Sequence, residues 1–219
     1  QPPHMSEIDS LRSFLKPLAL LFVISILIMG QPDLGSTAIV SLLVVGILFY
    51  AGISFSQLGL LILLIALLGY VAITDSEYRL ARVLAFRDPF ATEVVLNAGY
   101  QLSNSLISIG QGGWLGVGLG NSFQKSFFLP EAHTDFIFAI LVEELGIIGG
   151  LILILLFVVL FLGLISIMHE SFLKARFFQG YVVFGIFMLT AIQMLFNIAV
   201  NIGLLPTKGL TLPFISYGG

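Results

Sequence analysis

An unusual concentration of charge lies within residues 120–146. This stretch carries six ionisable side chains between two almost purely apolar blocks: Lys125, Glu131, His133, Asp135, Glu143 and Glu144. A charge at the centre of a bilayer costs from about 2.5 to well over 10 kcal/mol, so membrane-spanning chains keep such groups out of lipid. Charge gathered beside apolar segments therefore indicates chemistry at a membrane surface.

Asp135 is the central candidate, because it lies at the boundary between this polar run and the apolar residues 137–140. Two interpretations are open. An acid in the first turn of a helix is stabilised by the helix dipole. A carboxylate at an apolar boundary could also act as a general base, because partial desolvation raises its pKa towards working pH. Glu131, four residues earlier, would share a face with Asp135 on a continuous helix.

Cations near this stretch suit a phosphate-bearing ligand. Arg79, Arg82 and Lys125 belong to the same long segment between apolar blocks. Arg offers a planar fork of donors and Lys a compact charge, although each of the three could equally anchor lipid head groups. Lys208 is harder to explain by anchoring, because it is the only charged residue from Phe177 to the end of the chain.

Glu143 and Glu144 end a predicted helix at 131–145. Negative charges at the C-terminal end of a helix interact unfavourably with its dipole, so simple capping does not explain these two acids. Ion pairs with the loop arginines are the favoured interpretation.

A glycine-rich stretch surrounds Trp114, at Gly110, Gly112, Gly113, Gly116, Gly118 and Gly120. A nucleotide-binding loop would need a preceding strand and a βαβ unit, and neither is indicated here. The pattern instead favours a tight loop with an interfacial tryptophan.

Composition excludes several classes of protein. Hydrophobic residues make up 58% of the chain and charged residues 10%, against about 25% charged in soluble domains. The net charge of −3 gives no indication of nucleic-acid binding. With no cysteine, the chain has no disulfide, thiol chemistry or Cys-type metal site, and its three histidines lack metal-ligand spacing.

Charge-poor segments predict five membrane spans, near residues 14–31, 34–51, 57–74, 146–168 and 177–201. The expected fold is all-α: a polytopic transmembrane helical bundle with a large extracytoplasmic loop that contains short helices, at 94–110 and 131–145. Three parts follow. Residues 1–74 hold a cytoplasmic segment and three spans, 75–145 form the large catalytic loop, and 146–219 hold two spans and the start of a further extracytoplasmic loop.

Positive charge gives the orientation. Counted over the short loops, Arg12, Lys16, Lys174 and Arg176 stand on one side against Lys208 on the other. This places 1–13 and 169–176 in the cytoplasm, with 75–145 and 202–219 outside. Asp135 and Lys208 are then expected on the same outer face.

Several motifs together resemble the SEDS family of bacterial cell-wall polymerases, named for shape, elongation, division and sporulation. They are Gln31-Pro32-Asp33-Leu34-Gly35, Arg79-x-x-Arg82-x-x-x-Phe86-x-Asp88-Pro89, Gly99-Tyr100-Gln101, the run from Gly116 to Lys125, the run from Leu129 to Phe138, and the run from Leu204 to Gly219. The match extends from Leu11 to the end, and such long ordered motifs are highly specific. The last motif looks more like division-type members, or their sporulation relatives, than elongation-type members.

The resemblance implies a ten-helix protein of the bacterial cytoplasmic (inner) membrane, working at the division septum. This chain looks like its helices five to nine, so a fragment of a larger protein is expected. The implied activity is inverting peptidoglycan glycosyltransfer, in which lipid II is polymerised into glycan strands. The implied partners are lipid II, a class B penicillin-binding transpeptidase, other division proteins and membrane lipid, with no nucleic acid.

The family's essential acid falls on Asp135, which would be the general base. Substrate binding, including stabilisation of the undecaprenyl pyrophosphate leaving group, is expected from Arg79, Lys125, Glu131, His133, Thr134, Lys208 and Ser216. A divalent cation, Mg²⁺ or Mn²⁺, could assist, and no residue is assigned to hold it.

Two other functions stay open. A lipid II flippase would be expected to bury ionisable or broken-helix sites near the midplane, whereas the spans here have uncharged interiors. A non-catalytic scaffold for division proteins would explain the spans but not the charge within 120–146.

Overall fold

The computed structural model describes residues 7–31, 33–92, 95–127 and 129–217, apart from the side chains of 7–14, 126 and 127. The predictions for His4, the Arg12 side chain, Pro32 and Gly218-Gly219 lie outside the described residues. The described part of the chain is all-helical. Its helices are α1 (Glu7–Met29), α2 (Leu34–Tyr50), α3 (Phe55–Thr74), α4 (Glu77–Ala85), α5 (Tyr100–Gly112), α6 (Phe123–Phe127), α7 (Ile137–Leu173) and α8 (Phe177–Asn201).

Apolar helices occur at all five predicted spans, as α1, α2, α3, α7 and α8. Among the described residues, α3, α7 and α8 are long and apolar enough to cross a membrane, judged by length and composition. The apolar parts of α1 and α2, Leu15–Met29 and Leu34–Tyr50, are shorter. The predicted all-α membrane fold is therefore confirmed.

Side-chain caps fix where α2 and α3 begin. The amide of Ser36 donates to Oδ1 of Asp33 at 3.0 Å, and the amide of Gln57 donates to the hydroxyl of Ser54 at 3.4 Å. Such caps satisfy backbone donors that lack a partner inside the helix. The predicted turn between the two helices is also present, with Gly52 at a φ of 82°.

α8 is the central helix of the fold, because α2, α5 and α7 all pack against it. The core between α7 and α8 is built from Phe138, Val142, Phe157 and Met194. α3 packs against α2 and α4, and its side chains are mostly exposed. In a membrane, such an apolar exposed face meets lipid.

α7 is broken at Gly146, whose φ of 73° and ψ of −178° leave the helical region. The break exposes backbone groups that the helix would otherwise pair, and the glycine-rich loop pairs them instead. The amide of Val117 donates to the carbonyl of Glu143 at 2.9 Å, and the amide of Ile147 donates to the carbonyl of Gly113 at 2.9 Å. The glycine-rich stretch thus completes the hydrogen bonding of a broken helix.

The close contact between the glycine-rich loop and the break in α7 requires a glycine in each of the two segments. A Cβ added to Gly116 would overlap the carbonyl of Glu144, and one added to Gly146 would overlap the carbonyl of Trp114. Trp114 itself is 69% exposed, in line with the predicted surface position of the loop.

The short helices differ from the prediction. The helix expected at 94–110 begins only at Tyr100, and α4 and α6 were not predicted. The helix expected at 131–145 begins only at Ile137; residues 132–136 form turns, and Glu131, at the predicted start, has a φ of 57°. A right-handed helix cannot pass through that conformation. Glu131 and Asp135 therefore do not share a helix face.

The predicted ion pairs of Glu143 and Glu144 with the loop arginines are wrong. Glu143 is 1% exposed, and its carboxylate accepts hydrogen bonds from the Ser122 hydroxyl at 2.6 Å and the Phe123 amide at 2.9 Å. It thus caps α6, across the fold from its own helix. Glu144 pairs with Lys125, with 3.7 Å between Oε1 and Nζ.

Candidate functional site

A cavity of about 440 Å³ opens where the starts of α2 and α4 meet the loop that follows α8. Four charged side chains contribute to its lining: the cations Arg79, Arg82 and Lys208, and the carboxylate Asp33. Three cations against one carboxylate make this cavity a site for an anion. Residues far apart in sequence build it, and the fold brings them together.

Arg82 ties the walls of this cavity to one another. Its Nη1 donates to the carbonyl of Thr207 at 3.3 Å, and its Nη2 donates to Oε1 of Gln101 at 3.3 Å. Its guanidinium also lies 4.5 Å from the ring centroid of Tyr78, a favourable cation–π distance. Arg79 is anchored to the C-terminal end of α3, where its Nη1 donates to the carbonyl of Ala72 at 2.7 Å.

Lys208 is half-buried among these charges. Its pKa is lowered to about 8, mainly by burial and also by the positive charges of Arg79 and Arg82, while the carboxylate of Asp33 acts in the opposite direction. Burial alone would raise the pKa of Asp33, but its hydrogen bonds with Ser36 and the charge of Lys208 bring it below the ordinary value. Asp33 therefore has two roles, as the cap of α2 and as the counter-charge of Lys208.

Asp135 lies immediately beside the cavity, in the turn before α7. A Cβ placed on Gly209, which lines the cavity, would be 3.0 Å from Oδ2 of Asp135. The pKa of Asp135 is raised to about 6, mainly by burial and also by the charge of Glu131, while the charge of Arg82 acts in the opposite direction. Asp135 precedes Phe136, the N-cap residue of α7, and therefore lies outside the first turn of the helix, where the helix-start interpretation placed it.

Two asparagines of α8 hold the backbone at Asp135. Asn197 and Asn201 are 1% and 0% exposed. Their Nδ2 atoms donate to the carbonyl of Asp135 at 2.8 and 3.0 Å, and that of Asn197 also donates to the carbonyl of Leu210 at 2.6 Å. Sequence reasoning missed this pair. The available signal was two asparagines four residues apart in a span without charged residues, where polar groups commonly bond to other elements.

Further hydrogen bonds join the turn before α7 to the loop that follows α8. The hydroxyl of Ser216 donates to the carbonyl of Thr134 at 2.6 Å and accepts from the amide of Leu212 at 2.7 Å. The amide of Tyr217 donates to the carbonyl of His133 at 3.0 Å. The hydroxyl of Ser216, predicted to bind substrate, is thus engaged by the protein itself.

The other predicted substrate-binding side chains occupy three different places. Glu131 and Thr134 lie near Asp135 and bond to each other, with the Thr134 hydroxyl 2.7 Å from Oε2 of Glu131; the side chain of His133 is exposed in the same turn. Lys125 is held by Glu144 and is not among the residues that line the cavity. Arg79 and Lys208 are brought together, with Asp135 beside them.

A protein-held divalent cation does not fit the described residues. They contain no cluster of three or more His, Asp or Glu side chains that could hold one. In the cavity lining, the one carboxylate, Asp33, already accepts the Ser36 amide and faces Lys208. Arginine and lysine are therefore the charge-stabilising groups that this site offers.

Comparison with known proteins places these features in a family. The FtsW/RodA/SpoVE family, described as "Cell cycle protein", matches residues 4–219. A protein of Legionella pneumophila named "Probable peptidoglycan glycosyltransferase FtsW" is 45% identical over 212 residues, covering 96% of this chain and 53% of that protein. A protein of the same name from Saccharophagus degradans is 49% identical over 207 residues, covering 94% and 53%.

A solved structure supports the same grouping. It is described as "Structural coordination of polymerization and crosslinking by a peptidoglycan synthase complex", and one of its chains matches with a TM-score of 0.69 and 25% identity, covering 92% of this chain and 55% of that one. This chain spans about half the length of the curated relatives above. The chain belongs to the FtsW/RodA/SpoVE family.

Proposed function

We propose that the protein containing this chain is a peptidoglycan glycosyltransferase that polymerises lipid II. The names of its relatives support this activity. The observation that carries the proposal for this chain is the position of Asp135, whose carboxylate is separated only by Gly209 from a cavity lined by Arg79, Arg82 and Lys208. A candidate base and a set of anion-binding groups are thus adjacent.

Asp135 acts as the general base in this proposal. The 4-hydroxyl of the acceptor sugar must lose its proton as its oxygen attacks the anomeric carbon of the donor. Because burial raises the pKa of Asp135 to about 6, its carboxylate is ionised at neutral pH and yet more basic than an ordinary aspartate. A base with a pKa near the working pH is the most effective kind.

The cations of the cavity stabilise the leaving group. As the bond from the anomeric carbon to the pyrophosphate breaks, negative charge develops on undecaprenyl pyrophosphate. Arg79, Arg82 and Lys208 line the cavity at which this charge would arrive. Fixed cations aimed at developing charge lower the barrier most where water is excluded, and the half-buried Lys208 meets that condition.

Displacement in one step gives inversion, so an α-linked donor becomes a β-linked product. Such a reaction needs one base and one acceptor for the leaving group's charge. A single half-buried carboxylate beside a cation-lined cavity matches that need. The apolar tails of both substrates would lie along the exposed faces of the helices.

The cellular setting is part of the same proposal. The cation cavity and Asp135 lie on the outer face of the bacterial cytoplasmic membrane, with 75–145 and 202–219 extracytoplasmic, and the protein works at the division septum. Its partners are a class B penicillin-binding transpeptidase and other division proteins. The match to a chain of a peptidoglycan synthase complex supports a transpeptidase partner.

The flippase alternative gains little from the structure. A broken membrane helix is typical of transporter sites because it frees backbone groups for a substrate. α7 is broken at Gly146, but the glycine-rich loop pairs the carbonyl of Glu143 and the amide of Ile147. These groups are therefore engaged within the protein.

The test uses the purified full-length protein with its transpeptidase in liposomes and labelled lipid II. Formation of glycan polymer supports the proposal. Transfer of lipid II between leaflets without polymer formation would support the flippase. A protein that shows neither polymerisation nor transfer would support the non-catalytic scaffold. Adding a transpeptidase inhibitor to every reaction keeps cross-linking separate from polymerisation.

A further inference from the structure

A fully hydrogen-bonded polar pair lies buried in α8. Asn197 and Asn201 stand one turn apart at the end of a span that has no charged residue. Burying an amide without partners is costly, so polar groups in such a place have specific bonds. Both side chains are bonded to segments outside α8.

Asn197 joins two loops through one nitrogen. Its Nδ2 donates to the carbonyl of Asp135 at 2.8 Å and to the carbonyl of Leu210 at 2.6 Å. Two carbonyl oxygens repel each other unless donors lie between them, and one NH₂ group supplies two donors. The amide of Asn197 therefore sets the spacing between the turn that holds Asp135 and the loop that holds Lys208.

Asn201 completes the arrangement from the next turn. Its Nδ2 donates to the carbonyl of Asp135 at 3.0 Å, and its Oδ1 accepts from the amide of Ala139 at 3.0 Å. Ala139 is the third residue of α7, where backbone amides lack a partner inside the helix. Asn201 thus caps α7 from a neighbouring helix and fixes both ends of the segment 135–139.

We infer that Asn197 and Asn201 are positioning residues, which keep the carboxylate of Asp135 against Gly209 and so beside the cation cavity. The inference rests on the proposed function for its catalytic consequence, but its geometric part can be tested without activity. Neither asparagine touches the substrate in this scheme. Their effect on the reaction passes through the position of Asp135.

Cysteine cross-linking measures this position directly. The 219 residues contain no cysteine. A Cβ at residue 209 would lie 3.7 Å from Cγ of Asp135, the atom whose place a cysteine sulfur would take, so a small shift brings two sulfurs at these positions into bonding distance. The full-length protein with Asp135→Cys and Gly209→Cys should therefore oxidise rapidly. Adding Asn197→Leu or Asn201→Leu should slow the oxidation about tenfold, since each removes bonds of ordinary strength at a buried site.

Thr190→Val is the matched control on the same helix. Thr190 is buried, and its hydroxyl donates only to the carbonyl of Ile186 within α8, at 2.8 Å. It should leave the oxidation rate unchanged. Asn197→Ser, which removes the amide but keeps a small polar group, replaces Asn197→Leu if that variant does not fold.

The outcomes separate the two proposals. An unchanged oxidation rate in both asparagine variants, or equal slowing by Thr190→Val, would overturn the positioning inference. Slower oxidation together with no lipid II polymerisation by the unmodified protein would leave the positioning intact and remove the proposed function. With both correct, the asparagine variants of the active protein lose kcat rather than raising KM, and the acidic limb of their pH–rate profile moves to lower pH as water reaches Asp135.

Discussion

The carboxylate of Asp135 lies against the backbone of Gly209, so closely that a Cβ on residue 209 would be 3.0 Å from Oδ2. Gly209 also lines the cavity that contains Lys208. A candidate base and a cation therefore lie on two sides of one residue that has no side chain. In a glycosyl transfer, the attacking hydroxyl and the leaving pyrophosphate meet at a single carbon, so such closeness is required.

The first prediction concerns that missing side chain. Gly209→Ala should lower the polymerisation rate several-fold, up to about tenfold, because the added Cβ pushes the reacting carboxylate by a few tenths of an ångström and catalysis is sensitive to such displacements. The melting temperature should change little, since the methyl meets the end of a flexible side chain. Gly163→Ala is the matched control, as a Cβ there meets open space. Equal rates for the two variants would contradict the prediction.

The second prediction is an acidic limb in the pH–rate profile. The base works only when ionised, and burial raises the pKa of Asp135 to about 6. The value of kcat/KM should therefore fall as pH drops through about 6. Glu131→Gln should move this limb to lower pH, because the charge of Glu131 raises the pKa of Asp135. A profile that is flat down to pH about 4.5 would exclude Asp135 as the base.

The third prediction is a basic limb due to Lys208. Burial and the neighbouring arginines lower the pKa of Lys208 to about 8, so its charge is lost as pH rises through that value. The rate should then fall above pH about 8. Lys208→Arg should shift this limb upward, since arginine keeps its charge at all accessible pH. If the basic limb is the same in both proteins, Lys208 does not stabilise the leaving group.

The fourth prediction concerns the break in α7. Gly146→Ala should lower the free energy of unfolding by about 2–4 kcal/mol, because it combines a strained backbone with overlap of a neighbouring carbonyl. Gly146 has a φ of 73°, and the overlapped carbonyl is that of Trp114. Thermal unfolding in detergent measures the change, with Gly163→Ala as reference. Equal stability of the two variants would show that the loop tolerates a side chain there.

The length and composition of the charge-poor segments were sufficient to predict the apolar helices. All five apolar spans could be predicted because an absence of charge over a bilayer's width has few other causes. Asp33 could be assigned as a cap from its place before an apolar run. These features depend on residues close together in sequence.

The site depended on contacts between distant residues, which one sequence does not reveal. The pairing of Lys125 with Glu144 and the capping of α6 by Glu143 follow from packing across the fold. The roles of Asn197 and Asn201 require knowing which loops reach the end of α8. The wrong helix at 131–145 has a local cause, the left-handed conformation of Glu131, which its residue type does not announce.

The most direct test of the account is lipid II polymerisation by the full-length protein with Asp135→Asn. The amide has nearly the same shape but cannot accept the proton, so polymer formation should fall by at least about a hundredfold, the lower end of the range for general-base catalysis. Asp75→Asn, an exposed aspartate at the end of α3, makes the same change of charge and should keep full activity.

Folding of the Asp135→Asn variant serves as its internal check. The pKa of Asp135 is raised in the folded protein, so its ionised form opposes folding at neutral pH and the variant should melt at the same or a higher temperature. A folded variant that makes no polymer is the predicted result. A folded Asp135→Asn protein that polymerises lipid II at the unmodified rate would contradict the account.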